Sequence, residues 1–118
     1  MIWRIRDRAT FRALRRGRTG RCPPVRVRFV PEPSAPAARV AYAVSTAIGT
    51  AVERNRVRRR LRAAVACLDR STPGGLARGA YLLTAEPAAR TTPYATLCAA
   101  VEAAVERAQR PEPDRARR

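Results

Sequence analysis

Apolar and polar positions recur along the chain with two distinct periods, and the switches between them predict six elements. Residues 25–30, Val-Arg-Val-Arg-Phe-Val, alternate apolar with cationic side chains and predict a strand with one greasy and one basic face. Residues 39–45 predict a second strand, with Val40, Tyr42 and Val44 on one face. Its other face carries only the small Ala41 and Ala43, over which a helix can pack closely. Residues 80–85 are short and almost continuously apolar, as expected of a central strand. Elsewhere the period is helical. Residues 7–16 predict a short amphipathic helix, with Asp7 as its cap, Phe11 and Leu14 three apart on one face, and Gly17 at its C-terminal end. Residues 52–68 predict the longest helix. A third helix starts at Thr92-Pro93, a hydroxyl cap followed by proline at the first helical position, and Tyr94, Leu97, Cys98, Val101 and Val105 form its buried stripe.

Glycine and proline punctuate the rest. The segment 17–24, the three-proline run 31–38 and the segment 71–79 read as turns and loops. The predicted order is therefore helix, two strands, helix, strand, helix: one α+β domain over residues 1–109, with helices packed on a small sheet. Residues 110–118, Arg-Pro-Glu-Pro-Asp-Arg-Ala-Arg-Arg, predict a basic, disordered tail.

Composition narrows the chemistry. The 118 residues hold 25 Lys+Arg against 9 Asp+Glu, for a formal net charge of +16, and all the cations are arginine. Such a charge repels itself and attracts polyanions, with nucleic acid ahead of anionic membrane. With no histidine, imidazole bases, Ser-His or Cys-His pairs and His-containing zinc sites are excluded. Cys22, Cys67 and Cys98 stand far apart without a CxxC pair, which predicts buried or half-buried free thiols and a reducing compartment. No stretch reaches the roughly 20 apolar residues of a membrane span, and the N-terminus has no secretory apolar core, so the expectation is a soluble cytoplasmic protein.

The second predicted helix concentrates the charge. On a helical wheel Val57, Leu61, Ala64, Val65 and Leu68 share one sector and face the sheet. Asn55, Arg58, Arg59 and Arg62 share another, at i, i+3, i+4 and i+7, and Arg56 and Arg60 lie on an adjoining flank. Like charges at i, i+4 each cost a helix roughly 0.2–0.5 kcal/mol, and Glu53 is the one carboxylate nearby to offset them. A helix built for solubility would interleave carboxylates, so this one is read as a phosphate-binding face, for which the planar guanidinium fork is suited. A second basic surface is expected from Arg12, Arg15, Arg16 and Arg18 with Arg26 and Arg28. Phe11 would flank it if the first helix crosses that sheet face, a setting that suits single-stranded nucleic acid. As an apolar pair three apart, Phe11 and Leu14 are first of all a packing face.

The run from Arg39 through Ser45, then Ile48-Gly49-Thr50 and Val52-Glu53-Arg54-Asn55-Arg56-Val57-Arg58-Arg59-Arg60-Leu61-Arg62, resembles the protein subunit of bacterial ribonuclease P. The likeness runs over residues 7–109. It implies a small mixed sheet with packed helices and a left-handed strand–helix–strand crossover, against the right-handed norm. It also implies a partner, the catalytic RNA that removes the 5′ leader of precursor tRNA, with Mg2+ held mainly by that RNA. Carried over, Arg54, Asn55, Arg56, Arg58, Arg59 and Arg62 would contact RNA, and Phe11, Arg15 and Arg28 would line the leader cleft. Thr46-Ala47, Thr50 and Glu86 depart from the family's habit of basic residues or asparagine there, and the Phe11–Gly17 spacing is one residue short.

The missing side chains point the same way. With no histidine and no grouped carboxylates, the chain has little of its own for phosphodiester hydrolysis, and no catalytic residue or protein-held metal is expected. Two other classes compete: a general RNA-binding or ribosome-assembly protein, and a duplex-DNA binder. The second is disfavoured because a nearly uniform arginine helix suits backbone contacts rather than base reading.

Overall fold

The computed structural model describes residues 2–110, and the predicted 110–118 tail lies outside them except for Arg110. The elements run β1 (Ile2–Arg4), α1 (Arg8–Leu14), β2 (Arg18–Cys22), β3 (Val25–Pro31), β4 (Ala38–Ala43), α2 (Ala51–Ser71), β5 (Gly79–Ala85) and α3 (Tyr94–Gln109). Short 3-10 turns at Thr46–Ile48 and Pro87–Arg90 precede α2 and α3. The strands form one mixed five-stranded sheet in the order β1-β4-β5-β3-β2. β5 is central, as its apolar run requires, and it pairs parallel with β4 and antiparallel with β3. β4 and β5 are thus parallel neighbours joined through α2, so the fold is α+β with a strand–helix–strand unit at its centre.

One face of the sheet carries the main core. Val25, Val27, Phe29, Val40, Tyr81 and Leu83 meet Val57, Leu61, Ala64 and Val65 of α2 and Leu97, Val101, Ala104 and Val105 of α3. This is the stripe predicted for α2, with Leu68 half-buried at its margin; of the stripe predicted for α3, Leu97, Val101 and Val105 are buried, Cys98 is half-buried, and Tyr94 in the first turn is exposed. Phe29 and Tyr81 are cross-strand partners stacked at 4.6 Å, an aromatic pair that adds about 0.5–1.5 kcal/mol to its area burial. The other face is covered only in part. Leu14 of α1 and Ile5 pack on Ala80, with Val30, Ala41 and Leu82 around them, so the helix admitted by the small side of β4 is α1.

Three local expectations are corrected. The segment 18–22, read as a turn, is edge strand β2, held by five register pairs with β3. Its composition is a poor strand signal, and pairing with an already formed neighbour overrides it. The strand β1 was not expected either; it is three residues long and lies parallel to Ala38–Val40. Pro93 rather than Thr92 occupies the cap position of α3, and the Thr92 hydroxyl instead donates to the Ala88 carbonyl at 2.7 Å.

The α1 cap is as predicted: the Thr10 N–H and hydroxyl both donate to Asp7 Oδ2, at 2.9 and 2.6 Å. α2 opens on a reciprocal cap, with Glu53 N–H donating to Thr50 Oγ1 at 3.2 Å and Thr50 N–H to Glu53 Oε1 at 2.9 Å. Gly17 is not left-handed; it is needed for room, since a Cβ there would lie 2.8 Å from the Phe29 carbonyl oxygen. Of the thiols, Cys22 and Cys98 are half-buried as expected, whereas Cys67 is exposed.

These few carboxylates also set the acid response. Thr10 holds Asp7 below its ordinary value of 3.8, the Thr50 cap holds Glu53 below 4.5, and Arg21 does the same for Glu86. A lowered folded-state pKa contributes stability that is complete above the ordinary value and lost as pH falls through the folded one. The urea midpoint should therefore stay flat from about pH 7 to about pH 5 and fall below about pH 4.5, and Asp7→Asn should remove part of that fall. A midpoint that holds or rises on acidification would contradict this assignment.

Candidate nucleic-acid interface

α2 is anchored on one side and cationic on the other. Val57 and Leu61 are fully buried, while Asn55, Arg56, Arg59 and Arg62 are exposed and Arg54 and Arg58 half-exposed. The predicted stripe is a surface feature: Val52, Asn55, Arg58, Arg59 and Arg62 line a shallow depression of about 380 Å³ along the helix. Arg58 Nη1 donates to Asn55 Oδ1 at 2.9 Å, so the side-chain carbonyl of Asn55 is engaged within the stripe.

The electrostatics of the stripe follow from where the carboxylates are. Among the described residues, Asp7 and Glu32 pair with Arg39, Glu86 with Arg21, Glu53 with Arg90, and Glu106 with Arg110. None of the ion pairs among described residues reaches Arg54, Arg56, Arg58, Arg59 or Arg62. Five guanidiniums therefore share one helix with no carboxylate in ion-pair contact among the described residues, since Glu53 of the first turn is paired with Arg90. Such a cluster attracts an external polyanion. Arg60 differs. Its guanidinium donates to the Ala89 carbonyl at 3.4 Å and to the Thr92 carbonyl, so it ties α2 to the segment before α3. The sequence pattern, which grouped Arg60 with Arg56, carried no sign of this.

The second predicted surface is also assembled. α1 crosses one end of the sparsely covered sheet face, from the Asp7–Arg39 ion pair to β3. There Arg28 Nη1 donates to the Arg15 carbonyl at 2.8 Å, which joins two of the three predicted cleft residues. The third, Phe11, lies one turn before Arg15. Leu14 is buried to 1%, but Phe11 is 39% exposed, so the predicted packing pair splits into one core residue and one surface ring. Beyond α1 the face continues as Arg28, Leu82 and Ala41, then Arg26, Thr84 and Ala43, all half-buried or exposed. Glu86, where a basic residue is common in the family, receives a bidentate pair from Arg21 at 2.7 and 3.0 Å and neutralises that exposed cation.

The donor set for a divalent cation is poor. Among the described residues no three His, Cys, Asp or Glu side chains come together, and Asp7, Glu32, Glu53, Glu86 and Glu106 are engaged in caps or ion pairs. No helix among the described residues is long and apolar enough to cross a membrane.

Comparison with known proteins agrees with these features. The family model described as ribonuclease P matches residues 2–109. The chain is 43% identical over 93 residues to the ribonuclease P protein component of Thermus oshimai, covering 79% of this chain and 56% of that protein. It is 43% identical over 105 residues to that of Micrococcus luteus, covering 80% and 78%. The chain thus spans about half the length of the Thermus relatives it matches. The structure superposes on the RNase P protein of Staphylococcus aureus with a TM-score of 0.77 at 19% identity, covering 91% of this chain and 95% of that one. For that of Thermotoga maritima the TM-score is 0.72 at 17% identity, covering 92% and 97%. With a family match over nearly the whole described chain and the same fold in both solved proteins, this chain belongs to the ribonuclease P protein family.

Proposed function

We propose that the protein is the RNA-binding subunit of a cytoplasmic ribonuclease P, assisting removal of the 5′ leader from precursor tRNA. The observation that carries this reading is the arginine stripe of α2, in ion-pair contact with no acid among the described residues and held outward by a buried apolar edge. Arg54, Asn55, Arg56, Arg58, Arg59 and Arg62 bind the catalytic RNA by donating to its phosphates. Phe11, Arg15 and Arg28, on the open sheet face beside α1, hold the single-stranded leader, with cations on its backbone and the ring against a base.

In this reading the protein makes and breaks no bond. The described side chains supply no metal cage, and the reading assigns Mg2+ and the hydrolytic step to the RNA. The protein neutralises phosphates, which reduces repulsion between catalytic RNA and substrate and lowers the Mg2+ concentration they need to associate.

Reconstitution tests it. The purified protein alone should leave precursor tRNA intact. Added to a bacterial ribonuclease P RNA at low Mg2+, it should restore cleavage that the RNA performs unaided only at high Mg2+. Tight RNA binding without such rescue would instead favour a role in RNA assembly.

A further inference from the structure

The N-terminal strand adds a cation to the arginine stripe. Successive side chains along β1 point to opposite faces of the sheet. Trp3 shares a face with its register partner Arg39, and Ile5 packs beneath α1. Ile2 packs on the core under α2, and Arg4, two residues on, falls on that same face. It is exposed there, at the edge of the sheet. Between β1 and α2 lies a pocket of about 430 Å³, and Arg4 shares its lining with Arg58 and Arg62. Three guanidiniums from two elements distant in the chain thus border one cavity, whose volume lies within the usual range for small-ligand sites.

Folding alone does not account for this convergence. Like charges brought together repel, yet among the described residues none of the three is in an ion pair and no carboxylate lines the pocket. Two of the three are nevertheless held in place, each by an uncharged neighbour. Arg58 Nη1 donates to Asn55 Oδ1 at 2.9 Å, and the Arg62 guanidinium stands over the Tyr42 ring, 5.7 Å from its centroid. Tyr42 in turn is fixed on β4, half-buried against the main core. A long side chain already held in its working position loses less freedom when it binds. Arg58 and Arg62 also line the depression on the outer face of α2, so an RNA backbone following the stripe reaches this pocket directly.

We infer that Arg4, Arg58 and Arg62 form a clamp for one phosphate of the RNA bound along α2, with Tyr42 as the positioning residue for Arg62. The inference rests on the proposed RNA-binding role of α2 and extends that interface to the N-terminal strand, which neither helical spacing nor the arginine-rich motif marks. Guanidinium forks from two elements suit a tetrahedral phosphodiester, whose two free oxygens can each accept from a different arginine. Tyr42 contributes through its ring face alone. The ring quadrupole attracts the guanidinium without neutralising it, so Arg62 keeps its full charge for the phosphate. A carboxylate in the same place would fix Arg62 but cancel that charge.

The test uses the whole protein with a bacterial ribonuclease P RNA as the probe. Arg4→Ala should weaken binding about 5- to 8-fold at about 0.1 M salt and flatten the slope of log affinity against log salt by about 0.7–0.9. Arg78→Ala, which removes the same charge from an exposed position outside the pocket, should do neither. Tyr42→Leu should weaken binding about two- to fivefold with the slope unchanged, and should cost nothing further once Arg62 is alanine. Tyr42→Phe, which keeps the ring, should bind as the unsubstituted protein does. Circular dichroism checks the folding of each variant, and Arg4→Ala and Tyr42→Phe keep the test open if Tyr42→Leu does not fold. If Arg4→Ala loses no more affinity than Arg78→Ala, the clamp is overturned and the α2 reading stands. Equal losses in Tyr42→Leu and Tyr42→Phe would remove Tyr42 from its positioning role. Absence of salt-dependent binding altogether would overturn both readings.

Discussion

Replacing Arg56 and Arg59 together by alanine should weaken binding to a bacterial ribonuclease P RNA roughly 25- to 60-fold at about 0.1 M salt, without loss of stability. Both side chains are exposed, and among the described residues neither is paired with an acid. Each phosphate contact contributes about 0.7–0.9 to the slope of log affinity against log salt, so two lost contacts should flatten it by about 1.4–1.8. Folding stability should move the other way by a few tenths of a kcal/mol, because the Arg56/Arg60 repulsion at i, i+4 is relieved. A binding isotherm at several salt concentrations and a urea melt decide it. An unchanged slope would mean that the stripe is merely solvated, whereas a destabilised protein would mean that the two arginines hold the fold.

Gly20→Ala, with one added methyl group, should by contrast damage the fold. A Cβ at this position would lie 2.2 Å from the Ala104 carbonyl oxygen and 2.3 Å from the Ala108 backbone nitrogen. Both are main-chain atoms of α3, so no side chain can swing aside; β2 and α3 must separate. Gly20 is buried and its φ is not positive, so backbone conformation is not the constraint. Overpacking of this kind costs about 3 kcal/mol, and here it reaches through α3 into Leu97, Val101 and Val105. In a domain of ordinary stability that is a large share of the total, with a fall in Tm on the order of 10–20 °C. Gly74→Ala is the control: its Cβ would meet nothing within 4 Å, though φ +77° still strains it, so its cost should be about 1 kcal/mol. Equal melting temperatures for the two variants would refute the close approach.

The two substitutions sit on opposite sides of what the chain order makes visible. The arginine stripe is legible because a helix maps sequence spacing directly onto a surface: Val57, Leu61, Ala64 and Val65 had to be one edge, which left Asn55, Arg58, Arg59 and Arg62 outside. The capping of α1 by Asp7 is equally local. Strands are different, since their partners come from anywhere in the chain. β2 has turn composition and becomes a strand because β3 is beside it, and β1 is too short to leave a pattern. The leader-cleft candidates fall between these cases. Arg28 was placed on the outward face by alternation, but its contact with the Arg15 carbonyl, and the splitting of Phe11 from Leu14, depend on the angle at which α1 crosses the sheet.

The sequence by itself determined the anchored arginine helix, the central apolar strand, the α+β order and the absence of imidazole chemistry, because each depends on residue identity or on spacing within one element. Only the tertiary structure decided that Arg60 serves the fold and not the surface, that Gly20 must be glycine, and that Arg62 stands over the Tyr42 ring. Those facts rest on contacts between segments distant in the chain, whose geometry is set by how the sheet and helices pack together and by no periodicity within any of them.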